Sequence, residues 1–411
     1  MRQIVTNFSD NDTYSLSVMY YILQTYPRAE VEYTFFDRNN TVYPKNFAKL
    51  LREQVENMEN VIITEEEIDF MRSRLYFLPE WYFTFLKGYR FKPNEVRIWQ
   101  DEEGHLNIKI VGKWYSAIMW EMPILSTISE LMHTINGDME KVDLDRVYKD
   151  AVGKGYKAFS NGIVLSDFGT RRRFSKDVQD VVIKGLKDAY TDIITNQKLS
   201  PQYMGQFVGT SNVWLAMKYN LKCIGTMSHQ IVCFEECVSG MAECNYQVMK
   251  KWSEVYRGDL GIMLPDAFTH TVFFNNFSKE MAKLFDGIRI DSGDEKVETE
   301  RFIEKYKSLG IDPATKSIVY SNALTIDKAI ELHEWLGGRM KDSYGIGTHL
   351  CADVSNKETG DKFPYSNIVI KLTAMRITES REWHDCVKLS NDTGKTLGNK
   401  EKCEYLLSQI H

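Results

Sequence analysis

Apolar positions follow two different rhythms along this chain. Up to about residue 120, helical and alternating spacings are mixed in no regular order. Tyr14, Leu16, Met19, Tyr20 and Leu23 recur at helical spacing, with Asp12 or Thr13 as the cap and Pro27 as the stop. Val31, Tyr33 and Phe35 alternate as a strand. Two helical stretches follow, from Lys45 to about Glu59 and from Glu65 to Phe77, and then the aromatic segment Trp81, Tyr82, Phe83, Phe85. Val96 to Trp99 and Leu106 to Val111 read as the arms of a hairpin joined by DEEGH. This mixture predicts an α+β domain over residues 1–120.

From Gly162 a repeated unit takes over: a short apolar strand, a polar cluster, an amphipathic helix. IVLSDFGTRR precedes a helix from Lys176 to Ile194. Phe207 and Val208 close the next strand, Gly209 turns the chain, and Thr210, Ser211 and Asn212 offer oxygens to the free N–H groups of a helix from Val213 to Tyr219. Asn220 ends that helix, and Lys222 to Thr226 forms a strand with Ser228 and His229 just past its end. GIMLPD, GIRIDSGD, SIVYSN and SYGIGTHL continue the series, with helices expected from Ser278, Val297 and Ile326. About seven parallel strands in βα order are near the number that closes into a barrel, with a doubly wound open sheet as the other solution. The fold class is therefore α/β, a parallel β/α barrel over residues 121–365 beside the α+β N-terminal domain. Ile368 to Leu372 reads as one more strand, and residues 366–411 are expected to join the N-terminal domain.

With 411 residues, 43% of them hydrophobic, the chain can bury a large core. A net charge of -6 excludes a broad electrostatic footprint for nucleic acid. No apolar run is long enough to span a bilayer and the first residues lack a signal-peptide core, so the expected location is the cytoplasm, with no membrane partner. Seven cysteines scattered over this length do not form a disulfide framework. Cys233, Cys237 and Cys244, spaced by four and seven, fall on one face of a helix as packed thiols, not as a zinc site. Gly394-Lys395-Thr396 resembles the end of a P-loop, but Leu389 stands where its first glycine belongs, so a turn is expected.

In a parallel barrel the C-terminal strand ends form the active face, which here collects Asp167, Phe168, Arg171, Thr210, Ser211, His229, Asp266, Arg289, Asp291, Asp294, Ser321, Asn322, Gly345 and Gly347. Three chemistries meet there. Gly345-Ile-Gly347-Thr348 offers bare amides and a hydroxyl to a phosphate. Asp291 and Asp294 can hold Mg²⁺ against a diphosphate or face positive charge on carbon, and the same IDSGD segment can also be only a capped turn. Arg171, Arg172 and Arg173 can clamp phosphates while Phe168 presents a flat face to a ring. For His229 the residues leave general base, metal ligand and phosphoryl acceptor open.

Taken together and in order, DFGTRRRFS, GTSNVWLAMKYNLKCIGTMSH, FDGIRIDSGD, YSN and GIGTHL resemble the nicotinate phosphoribosyltransferase family, a type II phosphoribosyltransferase. DTYSLSVMYYILQTYP near the start and VKLSNDTGKT near the end are similar to it too, so the resemblance spans nearly the whole chain. It implies an irregular or incompletely closed barrel. It also implies that nicotinate, phosphoribosyl diphosphate, ATP and water give nicotinate mononucleotide, diphosphate, ADP and phosphate, a step of NAD salvage, with ATP and Mg²⁺ required. His229 matches the family's phosphorylated histidine and Asp291 faces the developing charge. By the same matching Phe168 and Tyr14 stack on the pyridine, Tyr14 coming from the partner in a two-fold homodimer with sites at the subunit interface. Arg171 and Arg289 are implied as anion ligands, Thr210 and Ser211 as substrate contacts, and Ser321, Asn322, Gly345, Gly347 and Thr348 as the 5′-phosphate cradle. A nicotinamide-using enzyme of the same fold and a non-catalytic phosphate-binding barrel are the alternatives.

Overall fold

The structure, a computed structural model, describes residues 2–196, 204–390 and 396–410. Its strands run along the chain as β1 (Glu30–Asp37), β2 (Val96–Gln100), β3 (Leu106–Lys113), β4 (Val164–Asp167), β5 (Gln206–Thr210), β6 (Lys222–Cys223), β7 (Ile262–Met263), β8 (Gly287–Ile290), β9 (Ser317–Tyr320), β10 (Lys341–Ile346), β11 (Ile368–Arg376) and β12 (His384–Asp385). They divide between two sheets as the two rhythms do. Strands β4 to β10 form a seven-stranded sheet in the order β6-β5-β4-β10-β9-β8-β7, and every pairing in it is parallel. The sheet curls into an incomplete barrel. Its end strands β6 and β7 share no ladder, and the hydrogen bond from Thr226 Oγ1 to the Ile262 carbonyl spans the gap at 3.2 Å. The strand expected to reach Thr226 stops at Cys223.

The other five strands build an antiparallel sheet, β12-β11-β1-β3-β2, with β1 central. The alternation read from the sequence holds: Val31, Tyr33 and Phe35 are buried. Strand β11 pairs with β1 over Glu30↔Arg376 to Asp37↔Ile368, so chain from beyond the barrel completes the sheet begun before it.

Most expected helices form within a few residues of their expected bounds. The first covers Thr13–Thr25, and the two after it Phe47–Asn57 and Glu65–Arg74. Glu65–Arg74 opens on a capping box between Thr64 and Glu67. The aromatic segment is a helix, Glu80–Gly88, that buries Tyr82, Phe83 and Leu86. The three cysteines do not share one helix. Gly240, at φ 79°, separates His229–Ser239 from Cys244–Tyr256, so Cys233 and Cys237 lie on one helix and Cys244 opens the next. All seven thiols are free. Gly394 and Lys395 lie outside the described residues. Among the described residues, no helix is long and apolar enough to cross a membrane.

The N-terminal segment is laced to the turn after β5. Thr13 N donates to Ser211 O (2.8 Å), Val213 N to Asn11 O (3.0 Å) and Trp214 N to Ser9 O (2.8 Å). Beneath these lies a fully buried ion pair, Arg173 Nη1 to Asp10 Oδ1 at 2.7 Å and Nη2 to Oδ2 at 2.9 Å.

Candidate active site

The helix Val213–Tyr219 forms as read, with the Asn212 side chain accepting from Leu215 N (3.0 Å) and Asn220 left-handed at φ 52°. The ends of β4, β5, β6, β8, β9 and β10 frame a cavity of about 450 Å³ whose other wall is the antiparallel sheet of the same chain. Tyr14, Phe168, Arg171, Ser211, His229, Arg289, Asp291, Ser321, Asn322, Gly345, Gly347 and Thr348 all line it.

Two expected site residues stand elsewhere. Thr210 is buried behind the wall, where its hydroxyl donates to Asp167 Oδ2 (2.7 Å). Asp294 is the N-cap of the helix Glu295–Ser308, its carboxylate accepting from Val297 N (2.9 Å). That is the capped-turn reading of IDSGD, and it takes Asp294 away from the metal pair expected with Asp291. Arg173 leaves the expected arginine clamp for its buried bond with Asp10, while Arg171 and Arg172 stay in the cavity.

The glycines of the G-x-G-T segment have a steric reason. A Cβ on Gly345 would sit 2.2 Å from Phe168 Cε2, and one on Gly347 2.6 Å from the Phe168 carbonyl oxygen. Bare backbone on β10 thus lets the Phe168 ring lie against the sheet and present itself to the cavity.

Tyr14 enters the cavity wall of its own chain. Its hydroxyl donates to Glu121 Oε2 (2.7 Å), and Arg171 Nη2 donates to Glu121 Oε1 (3.2 Å). Tyr14 and Phe168 therefore line one cavity within the chain.

His229 is the first residue of the helix His229–Ser239, in the stretch expected to lie just past a strand end. Its Nε2 lies 2.7 Å from Asp266 Oδ1 and 3.8 Å from Asp291 Oδ2. Burial pushes the imidazole pKa below its ordinary value, which outweighs the opposing pull of Asp266. Burial alone would raise Asp266, but His229, Lys388 at 3.4 Å and the Ser292 hydroxyl at 2.7 Å hold it well below the usual carboxylate range. The pair is thus an ionised carboxylate and a neutral ring. That fixes the proton on Nε2 and leaves the Nδ1 lone pair without a hydrogen bond among the described residues.

Asp291 accepts from the Ser321 hydroxyl (2.7 Å), with Arg289 Nη2 at 3.8 Å. Burial would raise its pKa, and Arg289 and His229 reverse that, so it too is an anion. His229, Asp266 and Asp291 bring one ligand atom each within 4.8 Å of the others. Asp266 already holds three partners, His229, Ser292 and Lys388. Asp291, half-buried and facing the cavity, fits the single-carboxylate share that Mg²⁺ takes beside phosphate oxygens.

Sequence reading missed the cations of the antiparallel sheet. Arg38 and Lys371 line the cavity beside the expected Arg172, and none of the three makes an ion pair among the described residues. Burial and the neighbouring Arg171 lower all three, Arg172 to about 10 and Lys371 to about 8. Such crowding of like charge is what an anion would relieve. Inorganic diphosphate is therefore expected to bind the free protein less tightly as pH rises through about 8, where Lys371 loses its charge. Lys371→Met should remove that step, and identical pH curves for the two proteins by titration calorimetry would contradict it.

Comparison with known proteins agrees with this geometry. The sequence profile of the nicotinate phosphoribosyltransferase (NAPRTase) family matches residues 163–410, and the profile of its N-terminal domain matches residues 10–129. The nicotinate phosphoribosyltransferase of Desulforapulum autotrophicum is 37% identical over 99% of both chains, and that of Methanococcoides burtonii is 33% identical over 97% of this chain and 96% of its own. The crystal structure of nicotinate phosphoribosyltransferase from Porphyromonas gingivalis superposes with a TM-score of 0.91 at 36% identity, covering 99% of this chain and 100% of that one. The Vibrio cholerae enzyme gives 0.81 at 26% identity, covering 99% and 94%. On fold, cavity and sequence together, the chain belongs to the nicotinate phosphoribosyltransferase family.

Proposed function

We propose that the cavity transfers the phosphoribosyl group of phosphoribosyl diphosphate to the ring nitrogen of nicotinate, giving nicotinate mononucleotide and diphosphate. One observation carries this reading: two aromatic faces, a group of unpaired cations and an ionised aspartate all look into the same space. Phe168 and Tyr14 suit a flat pyridine between them. Arg38, Arg171, Arg172 and Lys371 suit the charge of diphosphate and phosphate. As diphosphate leaves, positive charge grows on the anomeric carbon, and Asp291, held by Ser321, is the carboxylate to meet it. Bound Mg²⁺ would neutralise the leaving diphosphate, with Asp291 as its protein ligand. The Nδ1 of His229 is the proposed acceptor of the γ-phosphoryl of ATP, and hydrolysis of that phosphohistidine would then draw the reaction toward synthesis. Ser321, Asn322, Gly347 and Thr348 are proposed for the 5′-phosphate. The test is purified protein with nicotinate and phosphoribosyl diphosphate, with and without ATP, scored for mononucleotide. No product under either condition would overturn the reading.

Substrate choice is read at Ser211, whose hydroxyl donates to Asp12 Oδ1 (2.8 Å). Burial raises Asp12 to about 6, so this corner already strains to hold one negative charge. Ser211→Asp adds a second, and like charges at a contact cost on the order of several kcal/mol. The kcat/KM for nicotinate is expected to fall by about two orders of magnitude, with weak use of nicotinamide gained. A wild-type enzyme that prefers nicotinamide would sink the assignment.

The resemblance implies a two-fold dimer that shares Tyr14 between sites, whereas the Glu121 link supports a site completed within one chain. Mixing decides between them. Tyr14→Ala should lose a stacking contact worth about 1–3 kcal/mol, and Asp291→Ala should stop sugar transfer. Co-expressed, the two variants are expected to show only the sum of their separate activities. A clear excess, with mixed oligomers demonstrated, would return Tyr14 to the partner's site.

A further inference from the structure

Away from the cavity, two thiols distant in sequence face each other. Cys237 Sγ lies 3.7 Å from Cys386 Sγ, across a separation of 149 residues. Cys237 sits near the end of the helix that begins at His229, and Cys386 directly follows β12. We propose that Cys237 and Cys386 are a modification site, closing to a reversible disulfide when the protein meets a hydroperoxide.

The two sulfurs differ in a useful way. Cys237 is half-buried and reachable from solvent, whereas Cys386 is fully buried behind it. Lys402 Nζ lies 3.5 Å from the Cys237 sulfur, held there by Glu236 Oε2 at 2.6 Å and the Asp385 carbonyl at 2.8 Å. Its ammonium can hand a proton to an oxygen leaving that sulfur. In the first step the Cys237 sulfur attacks the outer peroxide oxygen. An S–O bond forms, the O–O bond breaks, two electrons pass from sulfur to peroxide, and the departing alkoxide leaves as an alcohol with the thiol's proton. In the second step the Cys386 sulfur attacks Cys237. The S–S bond forms, the S–O bond breaks, and hydroxide leaves as water with the Cys386 proton. Two thiols and one hydroperoxide thus give one disulfide, one alcohol and one water. Closing the disulfide brings the sulfurs from 3.7 Å to about 2.05 Å.

The bond would tie together both supports of the His229–Asp266 pair. The helix of Cys237 starts at His229, and Lys388, two residues beyond Cys386, reaches Asp266 at 3.4 Å. Such a link would fasten the C-terminal segment to the barrel.

Full-length protein, reduced and then treated with one equivalent of hydrogen peroxide, is expected to lose two of its seven titratable thiols and two hydrogens in mass. Dithiothreitol should restore both, and peptide mapping should show one cross-link, Cys237 to Cys386. Cys237→Ser should lose no thiol under the same treatment. Mapping of the wild type stands whether or not Cys386→Ser folds. Unchanged thiols, oxidation of Cys237 to sulfinic acid with Cys386 still free, or a cross-link between another pair would each overturn the proposal.

Discussion

Arg173→Met is expected to lower the stability of the protein by about 3–5 kcal/mol, because it leaves Asp10 a buried carboxylate without its partner. Both side chains are fully buried and joined by two charge-assisted hydrogen bonds. Asn212 Nδ2 (2.8 Å) and Lys176 (3.4 Å) also contact Asp10, but neither replaces a guanidinium fork. Burial would raise the Asp10 pKa, and Arg173 and then Lys176 reverse this and hold it below the usual carboxylate range. The sign follows. A depressed carboxylate stabilises the fold above its unfolded value, 3.8, and loses that contribution only as pH falls through the lower folded value. In the variant the carboxylate is instead raised by burial. The deficit should therefore be largest near pH 8 and smaller at pH 5, where protonation relieves the lone charge. Denaturant midpoints of both proteins at the two pH values measure this. Equal midpoints at pH 8 would show that the pair is dispensable. The same change should raise KM for nicotinate, since the pair joins the segment leading to Tyr14 with the loop that carries Phe168 and Arg171.

Strand-end punctuation makes most of the candidate site legible in the sequence. Each parallel strand stops at a polar cluster, and a barrel puts all such clusters on one face. What the sequence could not settle was which member of a cluster turns toward the mouth. Asp291 and Asp294 are three residues apart, yet one faces the cavity and the other caps a helix. Arg171, Arg172 and Arg173 are consecutive, and a short 3-10 turn over Thr170–Arg172 sends the third into the core. In both cases the deciding contact is tertiary or lies in the geometry of one turn, neither of which periodicity encodes.

The missed cations have a different cause. Arg38 directly follows β1 and Lys371 belongs to β11, and they reach the site only because the antiparallel sheet covers the barrel mouth. A signal was present at Lys371, the only charged residue in the apolar run Ile368 to Leu372. Asp266 was on the strand-end face, but its bond to His229 crosses 37 residues of chain. The helix Glu80–Gly88 escaped because four aromatics in five positions satisfy a strand or a helix equally well.

His229→Ala is expected to abolish nicotinate-dependent ATP hydrolysis while slow sugar transfer persists at high substrate, because the ring is proposed to accept phosphate and not to act on the sugar. Asp291, held by Ser321 and Arg289, would still meet the charge on the anomeric carbon. The uncoupling should be near total for hydrolysis, since no other described imidazole shares the His229 position beside Asp266 and Asp291. Asp266→Asn should act in the same direction but less far. It keeps a hydrogen bond to Nε2 and removes the charge that steadies the ring as Nδ1 takes the phosphoryl group. Acidity gives an independent reading. The imidazole pKa is lowered by burial, so the nucleophilic neutral ring persists below pH 6.5, and wild-type hydrolysis should hold its rate to lower pH than an ordinary histidine allows. Incubation with ATP should leave an acid-labile, base-stable phosphate on the wild type and none on His229→Ala. Loss of transfer and hydrolysis in equal measure, with no such phosphate, would make His229 a base or a structural residue and leave Asp291 and the cation cluster to drive the chemistry uncoupled.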